Sequence, residues 1–182
     1  MTEQKVSLRY AKAIYENAQE LGIQDLINQD FKLISKMLKL SKELVAFLKS
    51  PIISKFKKKE IFKVIFEDKL NNLTYKFIML LADKQREYLI VDIVNQYDII
   101  YNLEKNILVV KVTTANQIDE VMKSKIANSL TQWSGKIIHA EYNVNKDILG
   151  GILIRIDNWV YDATISHQLE MLRHKMILGS AF

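Results

Sequence analysis

The chain has no cysteine, which excludes disulfides, thiolate metal sites and a cysteine nucleophile. Glycine and proline are nearly as scarce, five and one in 182 residues, and between Gly22 and Gly135 only Pro51 punctuates the sequence. Such sparse punctuation favours long helices joined by short turns. Long apolar runs are missing too. The longest uncharged one, Ile148 to Ile154, falls far short of the ~20 residues that span a bilayer. The opening residues, Met1 to Val6, show neither the basic and apolar regions of a signal peptide nor the Arg/Ser-rich look of a transit peptide. The expectation is a soluble protein made where it works, held at any membrane by a partner.

What is present is an ordinary globular balance of 49% hydrophobic and 26% charged residues, with a net charge of +5. The excess is uneven. Residues 1–105 hold 18 Lys/Arg against 14 Asp/Glu, a balance of +4, and residues 106–182 hold 8 against 7, or +1. It concentrates at Lys55, Lys57, Lys58, Lys59 and Lys63. A cluster of this kind suits nucleic acid, acidic lipid or an acidic protein. The commoner reading of such a run is a solvated helix face.

Apolar residues in the first part recur every three or four positions, as on one face of a helix. Tyr10, Ile14, Ala18 and Leu21 define a first helix, with Gly22 placed as its left-handed cap. Ile23, Leu26, Ile27, Phe31, Ile34, Met37 and Leu38 define a second, and Leu44, Phe47 and Leu48 a short third that stops at Ser50-Pro51. Ser54 caps a fourth bearing Phe56, Ile61, Phe62, Ile65 and Phe66. Asn71 or Asn72 starts a fifth with Leu73, Phe77, Leu80 and Leu81, and Leu89 to Tyr101 carries a sixth.

After Glu104-Lys105-Asn106 the period changes. Ile107 to Thr114 is β-branched and continuous, which reads as a buried strand. Asp119 to Trp133 returns to helical spacing. Lys136 to Val144 and Ile152 to Ile156 read as further strands, and Asp157-Asn158 as a hairpin turn into Trp159-Val160-Tyr161. Ile165, Leu169, Leu172 and Met176 define a last helix. The fold class is α+β: an N-terminal six-helix bundle over 1–105, then a small mixed α/β module over 106–182.

No catalytic constellation stands out. His167, Glu170 and His174 share a helix face, but two histidines seven positions apart lie ~10 Å apart along the axis, too far for one zinc ion to bridge easily. Gly150-Gly151 lacks the pattern of a phosphate loop and precedes a strand where such a loop leads into a helix. The pair suits a bulge, or a close approach of another chain that a Cβ would block. Asp157 and Asp162 read as turn and helix-cap residues. No cofactor and no small-molecule substrate is expected. The helix aromatics fall on apolar stripes, as core residues do, rather than as base-stacking platforms.

Several segments carry a resemblance. Arg9-Tyr10-Ala11-Lys12-Ala13-Ile14-Tyr15, the Ser50-Pro51 stop, and Phe77-Ile78-Met79-Leu80-Leu81-Ala82-Asp83-Lys84-Gln85-Arg86 look like the corresponding parts of the F-type ATP synthase delta subunit family, which includes the mitochondrial oligomycin-sensitivity-conferring protein. So does Gly150-Gly151, followed by a strand with Arg155, then Asp162-Ala163-Thr164 and Leu169 and Leu172. This chain departs from the family in having Thr164 where serine is usual, Asp157 where glycine often precedes the turn, and Ala163 where glycine usually follows the aspartate.

The resemblance implies a stator subunit without catalysis, at the cytoplasmic face of a bacterial inner membrane or, alternatively, the stromal face of a thylakoid. Its helical bundle would grip N-terminal segments of the head's α subunits, with β as a further contact, and its C-terminal module would hold the b-type peripheral-stalk subunits. Membrane contact would come only through the complex. Ala11, Ala13 and Ala18 keep the first helix thin, so a partner helix is expected in a groove between helices one and five. Tyr10, Ala13, Ile14, Phe77, Leu80 and Leu81 would line it, as core or as groove. Gly150, Gly151, Leu169, Leu172 and Met176 are the candidate stalk surface. The competing reading is a basic helical nucleic-acid-binding module.

Overall fold

A computed structural model describes residues 3–50 and 52–179, with side chains described through Ile177. The chain divides into two compact units, Met1–Tyr101 and Asn102–Phe182. The first holds α1 (Glu3–Glu20), α2 (Gln24–Leu40), α3 (Lys42–Lys49), α4 (Lys55–Phe66), α5 (Asn72–Asp83), a 3-10 turn at Glu87–Leu89, and most of α6 (Ile90–Glu104). With α7 (Glu120–Ser134) and α8 (Ile165–Gly179), the described residues contain eight α-helices in all, so a count of six covers only the part before residue 105.

The helix ends follow from local chemistry. Gly22 takes φ +66°, and the bonds Ile23 N–H to Ala18 C=O and Gly22 N–H to Gln19 C=O close α1 in a Schellman motif. Ser41, Ser54 and Asn71 cap α3, α4 and α5, each accepting an N–H of the first turn on its side-chain oxygen. Asp30 on α2 reinforces the third of these by accepting from both Asn71 N–H and the Thr74 hydroxyl. The proline expected to stop α3, Pro51, lies outside the described residues; α3 ends at Lys49, with Ser50 in an extended conformation.

Aromatic rings run through the middle of the N-terminal unit. Tyr10 meets Phe77 edge-on at 6.2 Å, Phe77 meets Phe31 at 6.3 Å, and Phe31 stacks on Tyr97 at 4.4 Å. This chain of contacts ties α1 to α5, α2 and α6, each pair adding about 0.5–1.5 kcal/mol beyond its buried area. Tyr97 is fully buried, and burial pushes its hydroxyl well above the usual phenol range. A second group, Phe47, Phe62 and Phe66, joins α3 to α4.

The C-terminal unit has a four-stranded mixed sheet in the order β2-β1-β3-β4: β1 (Ile107–Thr114), β2 (Ile137–Val144), β3 (Gly151–Ile156) and β4 (Trp159–Thr164). β1 and β2 are parallel and joined through α7, while β1–β3 and β3–β4 are antiparallel. The apolar run of β1 is not buried on both sides as its composition suggests. Val110, Val112 and Thr114 are buried on one face, and Lys111 is exposed on the other. On the Val112 face, Tyr142 of β2 donates its hydroxyl to the Lys123 carbonyl of α7, which places α7 against that side.

Candidate interaction surfaces

The lysine cluster of α4 is not a uniformly solvated face. Lys58 is buried and reaches both the Glu87 carboxylate and the Leu48 carbonyl, joining α4 to the end of α3 and the turn before α6. Lys55 and Lys59 both hold Asp83, each at 2.7 Å. Those two lysines keep the Asp83 carboxyl at about 2, below its ordinary value. With Lys63 also 3.9 Å from Glu67, four of the five lysines are engaged with carboxylates of their own chain, which weakens the electrostatic case for nucleic acid.

The six residues expected to line an α1–α5 groove separate into two groups. Ile14, Phe77 and Leu81 lie in the core, and Tyr10 is half-buried between core and surface. Ala13 and Leu80 face outward. The thin positions are used internally as well: Ala11 and Ala18 are fully buried against the bundle, leaving Ala13 as the outward alanine. Of these six, Tyr10, Ala13 and Leu80 are the ones that reach the outside, and Tyr10 is joined there by Arg86. Arg86 donates from Nη1 to the Tyr10 hydroxyl at 2.8 Å and lies 5.6 Å from the ring centre. Sequence periodicity missed Arg86 because it lies beyond the end of α5 and 76 positions from Tyr10.

In the C-terminal unit the glycine pair shapes backbone. Leu149 takes φ +64° and ψ −36°, with Gly150 N–H bonded to Ile148 C=O at 2.7 Å, a γ-turn that a non-glycine residue adopts at a cost. Gly151 has φ +79°, and a Cβ there would overlap the Ala163 carbonyl oxygen. A Cβ on Gly150 would lie 2.6 Å from Cδ1 of Ile165, a flexible tip. Within the chain, the close approach that these glycines permit comes from β4 and α8.

β4 passes into α8 without a loop, and the cap is Thr164 rather than Asp162. The Thr164 hydroxyl accepts from His167 N–H at 3.2 Å, and Asp162 accepts from Thr164 N–H at 2.9 Å. The Thr164 hydroxyl and amide hold the Asp162 carboxyl below the usual carboxylate range. Threonine thus supplies the hydroxyl that a cap requires. Asp157, where the resemblance has glycine, adopts φ +46° in the β3–β4 turn and so fills a glycine-like position.

Leu169, Leu172 and Met176 are all exposed on α8, at 51%, 56% and 74%, and Ile165, Met171 and Ile177 are exposed beside them. Among the described residues no cluster of three or more His, Asp or Glu is arranged to hold a metal ion, His167, Glu170 and His174 included. No helix among them is long and apolar enough to cross a membrane.

A polar-capped helical bundle with a partly open α1–α5 face, and a small sheet bearing an uncovered apolar helix, define a protein of interfaces. Residues 6–176 match the family described as ATP synthase delta (OSCP) subunit, and the chain belongs to that family. It is 33% identical over 181 residues to ATP synthase subunit delta of Chlorobaculum tepidum, covering all of both chains. It is 31% identical over 171 residues to the ATP synthase subunit delta of Carboxydothermus hydrogenoformans, covering 94% of this chain and 96% of that one. The fold is also that of a chain in the cryo-EM structure of the Toxoplasma gondii mitochondrial ATP synthase hexamer. There the TM-score is 0.72 at 18% identity, covering 94% of this chain and 97% of that one.

Membership makes the chain a non-catalytic stator subunit of F-type ATP synthase, a peripheral part of a membrane-associated complex. Nothing in these likenesses points to nucleic acid.

Proposed function

We propose that the two units divide the stator's work at about residue 105. The part over 1–105 grips N-terminal segments of α subunits of the catalytic head, with β as a further contact, and the part over 106–182 holds the ends of b-type stalk subunits. The join keeps the head from turning with the rotor, so that torque is converted into conformational change at the nucleotide sites.

The observation that carries this reading is α8. A soluble helix ordinarily buries an apolar stripe against its own domain, yet α8 leaves Leu169, Leu172 and Met176 exposed. These residues are the stalk surface on this reading. Gly150 and Gly151 belong to it only by shaping the β3–β4–α8 junction. On the head side, Tyr10, Ala13 and Leu80 form the outer surface, and Ile14, Phe77 and Leu81 support it from the core. The site of action is the cytoplasmic face of a bacterial inner membrane, or the stromal face of a thylakoid if the source is a plastid.

The test uses the full chain in calorimetry against a synthetic peptide that reproduces the carboxyl-terminal end of the b-type stalk protein. Replacing Leu172 by Asp should weaken binding at least tenfold, because a buried charge displaces an apolar anchor. Unchanged affinity would remove α8 from the interface.

A further inference from the structure

The α1–α5 face carries a cation fixed in place and left without an anion. Helix α5 ends in a Schellman motif whose left-handed position is filled by Gln85, φ +54°, not by glycine. The bonds are Gln85 N–H to Ala82 C=O at 3.1 Å and Arg86 N–H to Leu81 C=O at 2.8 Å. A non-glycine residue there costs of order 1 kcal/mol, and the turn it makes leads Arg86 back to Tyr10 on α1. The guanidinium then donates to the tyrosine hydroxyl and packs by its ring, so its orientation is set before any partner arrives.

Both acidic neighbours of Arg86 are engaged elsewhere. Asp83 is held by Lys55 and Lys59, and Glu87 by Lys58. Among the described residues no carboxylate pairs with Arg86, and the tyrosine hydroxyl is neutral. Five N–H donors in a rigid fork suit a carboxylate, and one donor is used by Tyr10. Leu80 and Ala13 are exposed apolar residues, each about one helical turn along its own helix from Phe77 and Tyr10, which meet each other.

We infer that Arg86 is a specificity determinant of the head-facing surface. It receives an aspartate or glutamate of an amphipathic partner helix whose apolar side lies along Leu80, Tyr10 and Ala13. This inference rests on the proposal that N-terminal segments of α subunits bind the α1–α5 face. Tyr10 acts as a positioning residue for the cation, and the pre-set geometry limits the ordering cost when the carboxylate docks. A partner helix of the same apolar pattern without the acid is discriminated against, because its docking leaves Arg86 shielded from water and unpaired.

The experiment is calorimetry of the full chain against a synthetic peptide that reproduces the amino-terminal segment of the same organism's α protein. A second peptide has every Asp and Glu changed to the amide. Arg86→Gln should weaken the acidic peptide about tenfold or more, as expected for a charge-assisted bond, and leave the amide peptide almost unchanged. Arg86→Lys should recover only part of the loss, since an ammonium lacks the fork. Tyr10→Phe should reduce affinity while keeping a preference for the acidic peptide. Equal weakening of both peptides by Arg86→Gln would mean that Arg86 merely supports Tyr10, and would overturn the assignment while leaving the α1–α5 reading intact. Absence of binding by the unmodified chain to the acidic peptide would overturn both.

Discussion

Removing the Lys58 ammonium while leaving its partner should destabilise the N-terminal unit in a way that depends on pH. The side chains of Lys58 and Glu87 are only 5% and 8% exposed, and the second Glu87 carboxylate oxygen has no hydrogen-bond partner. In Lys58→Met the other oxygen loses its partner too, and the Leu48 carbonyl loses a donor. Stranding one member of a buried pair costs about 3–5 kcal/mol. Protonation offers an escape whose cost sets a ceiling: an ordinary glutamate takes up a proton at pH 7 for about 3.7 kcal/mol, and at pH 5 for about 1 kcal/mol. Lys58→Met should therefore cost about 3–4 kcal/mol at pH 7 and markedly less at pH 5. The double variant Lys58→Met/Glu87→Leu should cost less at pH 7 than Lys58→Met alone. Urea unfolding of the full chain, followed by far-UV circular dichroism, measures these differences, while Trp133 and Trp159 report separately on the C-terminal unit. A loss below about 1 kcal/mol at pH 7 would refute the reasoning, as would equal losses at both pH values. The first result would mean that water in the adjoining cavity of about 340 Å³ solvates the stranded carboxylate, and the second that the cost lies in packing or the lost Leu48 carbonyl bond.

Three other perturbations probe separate elements. Gly151→Ala places a Cβ against the Ala163 carbonyl at a left-handed φ and should cost about 2–4 kcal/mol, seen as an earlier tryptophan-monitored transition; Gly150→Ala should cost less because only the tip of Ile165 must move. Thr164→Val should cost about 1 kcal/mol through loss of the α8 cap, while Thr164→Ser should stay within a few tenths, both read from urea midpoints. The Asp83 carboxyl, lowered from 3.8 to about 2, should titrate by carbon NMR near that lower value. Because its folded value is depressed, its ion pairs are intact above about pH 4 and are lost as pH falls toward 2. High salt should move the midpoint back up.

The helices of the first 105 residues were legible because apolar residues recur at helical spacing and almost nothing interrupts them. Gly22, Ser54 and Asn71 marked ends through chemistry confined to a few neighbouring residues, which a sequence displays directly. The β3–turn–β4 hairpin was legible for the same reason. Long-range pairings were not. Nothing near Lys58 announces that Glu87, 29 positions on, neutralises it, and Arg86 and Tyr10 are farther apart still. Periodicity also identifies which face of a helix is apolar without showing whether a neighbour covers it. That is why Ile14, Phe77 and Leu81 were grouped with Tyr10, Ala13 and Leu80, though the bundle buries the first three. The left-handed conformations of Gln85 and Leu149 had no signal in residue type, since neither residue favours positive φ.

The most direct test of the stator account is reconstitution of coupling. Membranes carrying the organism's ATP synthase, washed at low salt until this protein is lost, should retain ATP hydrolysis in the released head but fail to synthesise ATP from a proton gradient. Adding back the released head together with the full chain should restore gradient-driven synthesis, and adding the head with a chain carrying Leu172→Asp should not. Full synthesis by membranes that lack the chain, or no recovery when it is returned and shown to rebind, would contradict the account.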